Sequence, residues 1–415
     1  MKIYLVGGAV RDRLLGYPVK ERDWVVVGAT KELLKQKGYR CIGKSFPVFL
    51  HPITSEEYAL ARTEYKYAPG YYGFKCDFNP NITLEEDLKR RDLTINAMAI
   101  DSHGVLIDPY NGISDLRKKI LRHVSSAFIE DPIRVLRIAR FKARYHHLGF
   151  KIANETESLM YKIVKLGELK YITIERIWQE WNRSLSEKNP EIFIEVLRSC
   201  GALEIIFPEI NRLFGVPNVS KFHPEIDSGV HALMALRNSV NLTYDPIVRF
   251  AVFLCHLEKS IINMKYWPIH FFYNQDRSNV IYNFCNRLKV PLIYRKLAIM
   301  SARFFQSIYM AWNLNPETLI KILEINNAFR NPDLFIKCLL VCKIDFCSCN
   351  TYIGNYYIQY SFWKILLEKC ASINSKFFIE MGYKKKDIRE EMHKKRVKYA
   401  KYICVYWKKK VFYEK

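Results

Sequence analysis

The sequence predicts an α+β protein, in which a small domain of mixed strands and helices precedes a long all-helical region. Over about the first 110 residues, short β-rich runs alternate with helical stretches. From about Asp131 onward, apolar residues recur with helical periodicity and convincing strand patterns are absent. Apolar residues make up 49% of the 415-residue chain and charged residues 26%, which excludes wholesale disorder.

The N-terminal elements follow from local patterns. Lys2–Val6 is a predicted strand, the pair Gly7-Gly8 follows it, and a helix over residues 9–15 ends at Gly16. Further predicted elements are a buried strand over 24–27, a helix over 31–37, strands over 58–62 and 105–107, and a helix that begins at the capping box Thr83-Leu84-Glu85-Glu86.

The net charge of +23 predicts a polyanionic partner, usually nucleic acid. The alternative is a lysine-rich compositional drift without a ligand. The basic C-terminal segment interleaves lysines with Tyr399, Tyr402, Tyr406 and Trp407. That mixture suits an RNA backbone and stacking bases, and it equally suits a solvated terminal helix with an aromatic packing face.

No apolar run approaches the length of about 18 residues that predicts a membrane span, and the start lacks the long apolar region of a signal peptide. We therefore expect a cytoplasmic protein without a membrane partner. Four of the eleven cysteines cluster at Cys338, Cys342, Cys347 and Cys349, but no zinc-binding spacing completes the cluster. Reduced, mostly buried thiols are expected.

The segment from Gly7 to Asp12 places a glycine pair between a strand and a helix. Such glycines let backbone N–H groups approach a phosphate, which Arg11 could pair with. A purely structural turn is the alternative for this feature taken alone.

Two carboxylates, Glu21 and Asp23, point to the same face of an extended segment, about 7 Å apart. Beside a phosphate site, they would bind Mg²⁺ through hard oxygen ligands. The alternative is an exposed turn with ordinary charges, although the bulky run 24–27 indicates a buried strand directly after the pair.

Two arginine-rich motifs follow, at residues 90–97 and 130–140. Asp131 is a predicted N-cap with Pro132 at the first helical position. At about 100° per residue, four arginines of this helix share a sector near 120° wide, opposite an apolar face. Since Ile133 and Phe141 intrude on that sector, it is partly buried and calls for an anion. The four are Arg134, Arg137, Arg140 and Arg144.

In this order and spacing, the motifs resemble those of bacterial class II tRNA nucleotidyltransferases, the CCA-adding enzymes, and particularly their enterobacterial branch. The segment from Asp108 to Leu116 also matches this family. The resemblance covers essentially the whole chain and is weaker after about residue 260. It implies a DNA polymerase β-like nucleotidyltransferase head with a small mixed sheet, followed by an all-helical neck, body and tail. The implied regions are 1–140 (head), 141–224 (neck and body), 225–330 (degenerate HD-like region) and 331–415 (basic tail).

The resemblance also implies roles for individual residues. Glu21 and Asp23 match the catalytic pair that binds Mg²⁺, although the first position is commonly Asp. Residues that match the family's contacts to the phosphates and ribose are Gly8, Arg11, Arg91, Asp92 and Asn96. Residues that match the protein template for the incoming base, and further nucleotide contacts on the same helix, are Glu130, Asp131, Arg134, Arg137 and Arg140. A carboxylate that accepts from the amine shared by cytosine and adenine disfavours uracil and guanine.

Enterobacterial relatives often carry a helical HD phosphohydrolase domain whose His-Asp pair helps hold a divalent metal. The equivalent pair here is His256-Leu257, and Leu257 cannot ligate a metal. His231 remains, His270 is a further candidate, and Phe271-Phe272-Tyr273-Asn274 replaces expected histidines. We expect a packed His256 and a region that keeps its fold without phosphatase or 2′,3′-cyclic phosphodiesterase activity.

The resulting hypothesis is an enzyme that adds C, C and A to the 3′ end of tRNA from CTP and ATP without a nucleic-acid template, with Mg²⁺ as cofactor. The alternatives are a poly(A) polymerase, an enzyme that adds only CC or only A, and a non-catalytic tRNA-binding protein. The sequence leaves the oligomeric state open. Glu64 is a candidate third acid near the metal.

Overall fold

A computed structural model describes residues 1–43, 47–67, 73–218, 227–267, 277–348 and 357–413. The chain forms two compact units, Met1–Ile206 and Phe207–Lys415. Among the described residues, no helix has both the length and the apolar character needed to cross a membrane.

The first unit contains the strands. They are β1 (Lys2–Val6), β2 (Asp23–Val27), β3 (Arg40–Ile42), β4 (Val48–Leu50), β5 (Glu57–Leu60), β6 (Thr63–Lys66), β7 (Phe74–Asp77), β8 (Ala99–Ile100), β9 (Leu106–Ile107), β10 (Ile120–Leu121) and β11 (Lys151–Ile152). Seven of them form a mixed sheet in the order β3-β4-β5-β2-β1-β8-β9. Within it, β2 is antiparallel to β1 and parallel to β5.

The helices of the first unit follow or connect these strands. They are α1 (Gly8–Leu14), α2 (Lys31–Gln36), α3 (Leu84–Lys89), α4 (Gly112–Lys118), α5 (Ile133–Tyr145), α6 (Asn154–Lys165), α7 (Ile174–Leu185), α8 (Glu191–Ser199) and α9 (Ala202–Ile206). The predicted capping box at Thr83 is confirmed, since its hydroxyl accepts from the Glu86 N–H and the Glu86 carboxylate accepts from the Thr83 N–H.

Both faces of the sheet are buried at β2, where successive side chains pack on opposite sides. Val25 packs into a cluster with Val6 and Leu88, whereas Val26 packs into a cluster with Leu34 and Phe49. Because successive side chains point to opposite faces, a strand buried on both sides carries a continuous apolar run. The run ends at Asp23, so the acidic residue lies at the end of a strand held in the core.

The expectation that strands are absent after residue 131 was wrong in one place. Strand β11 lies beyond it and pairs in parallel with β10, in the register Ile120 with Lys151. A strand of two residues is too short to show an alternating pattern, and its partner lies outside the local sequence. In the sequence, β10 precedes α5 and β11 follows it.

Helix α5 begins at Ile133, one residue later than predicted. The N-cap residue is therefore Pro132 and not Asp131 as predicted, although the Asp131 carboxylate accepts the Ile133 N–H at 3.3 Å. Ten of the thirteen residues of α5 are buried, including Arg134 and Arg140. The prediction of a partly buried arginine face is therefore confirmed.

The regular elements in the described residues of the second unit are helices, and an isolated antiparallel bridge pairs Pro217 with Asp227. Its α-helices are α10 (Pro208–Asn211), α11 (Ser228–Ser239), α12 (Pro246–Leu254), α13 (Arg277–Arg287), α14 (Leu292–Tyr309), α15 (Pro316–Ile325), α16 (Pro332–Cys347), α17 (Ile358–Ala371), α18 (Ser375–Glu380) and α19 (Lys385–Tyr413). The predicted fold class is thus confirmed, whereas the division into four regions stays a prediction.

The cysteines behave as small apolar residues. All ten that lie in the described ranges are free thiols, and six of them are buried. Cys338 and Cys342 lie on the buried side of α16, while Cys349 is outside the described residues. The expected reduced, mostly buried thiols are therefore found in the described part of the chain.

Candidate functional site

A cleft of about 850 Å³ lies within the first unit. Ten arginines and six carboxylates line it, which gives it a positive wall suited to a polyphosphate. Eleven of the twelve residues predicted to bind the metal or the nucleotide line this cleft. They are Gly8, Arg11, Glu21, Asp23, Arg91, Asp92, Asn96, Asp131, Arg134, Arg137 and Arg140.

The acid pair lies at one end of β2. Asp23 is its first residue and Glu21 lies two positions earlier. Burial raises the pKa of Asp23, the Glu21 charge raises it further, and Arg91 opposes both. The two carboxylates therefore share one electrostatic environment, and a bound cation would relieve their repulsion. Hard oxygen donors of this kind fit a divalent cation such as Mg²⁺.

The glycine turn brings two arginine side chains against the backbone between β1 and α1. Gly7 has φ +69°, and a Cβ there would lie 2.9 Å from Nη1 of Arg91. A Cβ on Gly8 would lie 3.4 Å from Nη2 of Arg11. The first glycine is thus required by both its backbone conformation and the close approach of Arg91.

A buried chain of hydrogen bonds connects the glycine turn to α5. Arg11 donates to the Asn96 side-chain oxygen at 2.5 Å, and Asn96 donates to Oδ1 of Asp92 at 2.9 Å. Nε of Arg137 donates to Oδ2 of Asp92 at 2.7 Å. Although burial acts against it, the Arg137 charge together with these hydrogen bonds holds the pKa of Asp92 well below its usual range. Asp92 is therefore charged.

Glu180 on α7 binds two arginines of α5. Its Oε2 accepts from Nε of Arg140 at 2.5 Å, and its Oε1 lies 3.6 Å from Nη1 of Arg137. The Phe141 ring lies under the same groups, 4.3 Å from the Arg140 guanidinium carbon and 5.2 Å from that of Arg11. These contacts fix the arginine orientations before any ligand binds.

The predicted base-reading residues are both held by other groups. Arg134 donates to the backbone carbonyl oxygens of Ala127 at 2.9 Å and Arg90 at 2.6 Å. Arg176 on α7 donates to both Asp131 oxygens, at 3.2 and 2.7 Å. Arg134 has five N–H donors, so these two bonds leave donors for a base. Glu130, the third predicted base-reading residue, does not line the cleft in the described part of the chain.

Glu64 lines the cleft, but its Oε1 accepts from Arg62 and Arg90, each at 2.8 Å. Its part in metal binding stays a prediction. The wholly buried Asp87 binds Arg90 at 2.7 Å and Arg91 at 3.3 Å. Sequence reasoning missed Asp87, Arg176 and Glu180. The sequence signal for Arg176 and Glu180 was their spacing, since this cation and this anion lie four residues apart on the same helix, α7.

In the second unit, three side chains meet at one carboxylate. His231 and His256 both hydrogen-bond through Nε2 to Oδ1 of Asp345, each at 3.1 Å. Burial lowers the pKa of His256, with Asp345 opposing, so this imidazole is neutral at neutral pH. Sequence reasoning missed Asp345. His270 and the segment from Phe271 to Asn274 lie outside the described residues.

The basic C-terminal helix presents both of the faces considered for it. Trp407 is buried and stacks on Trp312, with ring centroids 6.2 Å apart. Tyr399, Tyr402 and Tyr406 are 44%, 66% and 64% exposed. Of these four aromatic side chains, Trp407 is therefore the one that is buried, and the three tyrosines are accessible to a ligand.

Two family models match parts of the chain. The model described as "Poly A polymerase head domain" matches residues 3–122, and the one described as "Probable RNA and SrmB- binding site of polymerase A" matches residues 149–214. The first stretch contains the strands of the seven-stranded sheet, and the second contains the helices α6 to α10.

Curated relatives match over nearly the full chain. A multifunctional CCA protein of Legionella pneumophila is 55% identical over 408 residues, which cover 98% of this chain and 99% of the relative. A protein of the same name from Thioalkalivibrio sulfidiphilus is 49% identical over 98% of this chain and all of its own length (100%).

Solved structures show the same fold at low sequence identity. An apo CCA-adding enzyme superposes with a TM-score of 0.65 at 22% identity, covering 96% of this chain and 88% of its own. The CCA-adding enzyme of Thermotoga maritima in complex with tRNA gives a TM-score of 0.61 at 21% identity, covering 96% and 87%. Another similar structure is a CCA-adding enzyme bound to ATP, with a TM-score of 0.65, 21% identity and coverage of 96% and 86%.

Proposed function

Because this chain belongs to the family of the multifunctional CCA proteins, we propose that it adds C, C and A to the 3′ end of tRNA from CTP and ATP without a nucleic-acid template. The observation that carries the proposal is the convergence of the acid pair, the glycine turn and the arginine face of α5 on one cleft. It is the arrangement that a nucleoside triphosphate and an attacking hydroxyl require.

In each round, the 3′ oxygen of the RNA forms a bond to the α-phosphorus of the nucleotide. The bond from that phosphorus to the bridging oxygen of the β-phosphate breaks, and pyrophosphate leaves. The hydroxyl proton passes to solvent or to a nearby base. Because the product ends in a new 3′ hydroxyl, the same groups serve the next round.

Glu21 and Asp23 would hold the divalent cation, with Mg²⁺ as the proposed ion. When bound, a divalent cation neutralises the phosphate charge and favours the ionised form of the attacking hydroxyl. The raised pKa of Asp23 supports this assignment, because a carboxylate destabilised by burial and by a like charge gains most from a cation.

Gly8, Arg11 and Arg91 would bind the triphosphate, with Arg137 and Arg140 as further contacts on α5. Support comes from their fixed orientation, since Asn96, Asp92 and Glu180 hold three of these four guanidinium groups. Preoriented charged donors lose little entropy when an anion binds.

Asp131 and Arg134 would read the base edge. The bidentate contact from Arg176 orients the Asp131 carboxylate, and two backbone carbonyls orient Arg134. Each carboxylate oxygen has a further lone pair and Arg134 has further N–H donors, so both groups can bind a base without breaking these contacts.

The tRNA partner fits the net charge of +23. We assign the exposed Tyr399, Tyr402 and Tyr406 to contacts with this RNA, together with nearby lysines of α19. A tRNA substrate also agrees with the proposed cytoplasmic location.

The test is to incubate a tRNA that lacks its CCA end with CTP alone, ATP alone and both nucleotides. We expect two added residues with CTP alone and three with both. Long tails from ATP alone on unrelated RNA would instead identify a poly(A) polymerase, and two or one added residues with both nucleotides would identify a partial enzyme. No product at any condition would leave tRNA binding as the activity.

The variant Asp23→Asn tests the metal role of the acid pair, and Glu57→Gln is its control. Glu57 is an exposed carboxylate directly opposite Asp23 on the neighbouring strand, and it is not among the residues described as lining the cleft. We expect Asp23→Asn to slow nucleotide addition more than about 100-fold with tRNA binding retained. Equal losses of nucleotide addition and of tRNA binding in Asp23→Asn would contradict the metal role of Asp23.

A further inference from the structure

Helix α5 carries a fourth arginine to which the proposed function gives no role. Arg144 lies four residues beyond Arg140 and lines the same cleft. Its side chain is 32% exposed, so a ligand in the cleft can reach it. Because an α-helix rises by about 1.5 Å per residue, Arg144 lies about 15 Å along the axis from Arg134. That distance is comparable with the length of an extended nucleoside triphosphate.

Asp12, the last residue of the segment with the glycine pair, holds Arg144 beside Arg11. Its Oδ2 accepts from Nη2 of Arg144 at 3.1 Å, and its Oδ1 accepts from Nε of Arg11 at 2.9 Å. The Tyr145 hydroxyl also donates to Oδ1, at 3.2 Å. One carboxylate therefore orients two arginines.

The buried ring of Tyr145 supports the same two guanidinium groups. Its centroid lies 5.5 Å from the guanidinium carbon of Arg11 and 5.4 Å from that of Arg144. An arginine has five N–H donors, so the bond to Asp12 leaves Arg144 with donors for a ligand. The orientation of Arg144 is thus fixed by contacts that an anion does not have to break.

The hydrogen bonds place Arg144 beyond the groups that are assigned to the base and the ribose. Arg11 bonds through Asn96 to Asp92, the partner of Arg137. Through Asp12, the same Arg11 connects to Arg144. With the base at Arg134, near the beginning of α5, the phosphates extend toward the end of this helix, where Arg144 lies.

One carboxyl group of the cleft, Glu187, opposes an anion at this end. Burial raises the pKa of Glu187, although the charges of Arg144, Arg140 and Arg11 act in the other direction. A phosphate beside it would raise this pKa further, because a like charge disfavours the ionised form. The protonated carboxyl group can donate a hydrogen bond to a phosphate oxygen, so Glu187 does not exclude an anion.

We propose that Arg144, oriented by Asp12, binds the γ-phosphate of the incoming nucleotide and gives the enzyme its preference for triphosphates over diphosphates. The inference rests on the proposed function and adds a contact to the same site. Because the γ-phosphate is common to CTP and ATP, Arg144 serves both nucleotides equally. Pyrophosphate carries this phosphate away, so the same contact holds the product until it leaves.

The first experiment measures the binding of CTP and CDP to the full chain by calorimetry, with Mg²⁺ and without tRNA. We expect CTP to bind at least about 10-fold more tightly than CDP. Arg144→Gln should weaken CTP about 10-fold and change CDP less than about 2-fold, because a charged hydrogen bond to the γ-phosphate is lost. ATP and ADP should show the same difference.

Arg13→Gln is the matched control. Arg13 is an exposed arginine of α1 that does not line the cleft in the described part of the chain, so its loss removes the same charge without the contact. Both nucleotides should keep their affinities in this variant. Unchanged CTP binding in Arg144→Gln, or equal losses for CTP and CDP, would overturn the proposal.

Two further variants separate the charge of Arg144 from its orientation. Arg144→Lys keeps the charge without the planar fork and should recover part of the preference for CTP over CDP. Asp12→Asn keeps Arg144 but removes the charge that orients it, so the preference should fall about 3- to 10-fold. If Asp12→Asn weakened CTP and CDP to the same extent, Asp12 would have no part in positioning Arg144.

Nucleotide addition to tRNA then tests the proposal during turnover. Arg144→Gln should raise KM for CTP and ATP, and the inhibition constant of pyrophosphate, about 10-fold with little change in kcat. A lower kcat at unchanged KM would contradict a binding role. A protein that adds no nucleotide but distinguishes CTP from CDP through Arg144 would refute the proposed function alone. CCA addition with an intact CTP preference in Arg144→Gln would refute this inference alone.

Discussion

Charged and polar side chains that line the cleft also bind one another. Asp92 joins Asn96 to Arg137, and Glu180 joins Arg137 to Arg140. Arg137 and Arg140 of α5 are therefore each paired with a carboxylate before a nucleotide binds. A site of this kind has a fixed geometry, and the loss of one buried partner disturbs several others.

Glu180→Gln tests whether this orientation matters for nucleotide binding. The amide keeps the shape but removes the charge that orients Arg137 and Arg140, so we expect KM for CTP and ATP to rise about 10-fold with a smaller change in kcat. Glu175→Gln, an exposed acid of the same helix, is the control. An unchanged KM in steady-state assays would show that the arginines need no help from α7.

Arg134→Ala tests base reading. We expect the preference for CTP and ATP over UTP and GTP to fall about 10- to 100-fold, because charged hydrogen bonds to the base are lost. Arg183→Ala removes a different exposed arginine from the same cleft and should keep the preference. Competition assays with all four nucleotides measure it, and unaltered selectivity in Arg134→Ala would argue against the assignment.

Asp92 also makes a prediction about pH. Its depressed pKa means that it stabilises the folded state fully above the ordinary value of about 3.9, and that this stability is lost as the pH falls further. Asp92→Asn should therefore cost roughly 3–5 kcal/mol at pH 7, and less as the pH falls from about 5 to 2. Urea unfolding across this range measures the difference; a gap that stays constant with pH would contradict it.

At the level of elements, the strand–turn–helix that begins the chain was predictable, and much of the remaining sheet was not. Lys2–Val6 was predicted with its observed bounds, because a run of β-forming residues followed by a glycine pair is a local signal. Strand β8, for example, has two residues, and its partners Leu5 and Val6 on β1 lie far away in the sequence. Asp345 was missed for a similar reason, since 89 residues separate it from His256.

Gly7→Ala tests the turn between β1 and α1. The left-handed backbone and the contact with Arg91 should together destabilise the fold by about 1–3 kcal/mol and raise KM for both nucleotides. Gly167→Ala is the control, because Gly167 has φ +71° and no heavy atom within 4 Å of a new Cβ. If the two variants had the same KM, close contact at Gly7 would play no part in binding.

At the level of the whole molecule, the charge of +23 should dominate tRNA affinity. Neutralising about four phosphates would weaken binding about 100-fold between 50 and 200 mM salt. The double substitution Lys398→Gln with Lys401→Gln, at exposed positions of α19, should reduce this dependence. Lys321→Gln, whose lysine pairs with Glu317, is the control. Filter binding at several salt concentrations measures the slope, and equal slopes would exclude those two lysines.

The parallel contact between β10 and β11 has a practical consequence for dissecting the protein. The segments that it joins lie on either side of α5, so a fragment that stops at residue 140 would cut this helix and leave Ile120 and Leu121 without their neighbours. Such a fragment would expose the apolar side of a severed helix and is expected to precipitate. Expression of residues 1–206 keeps both segments and is the better starting point for a minimal catalytic fragment.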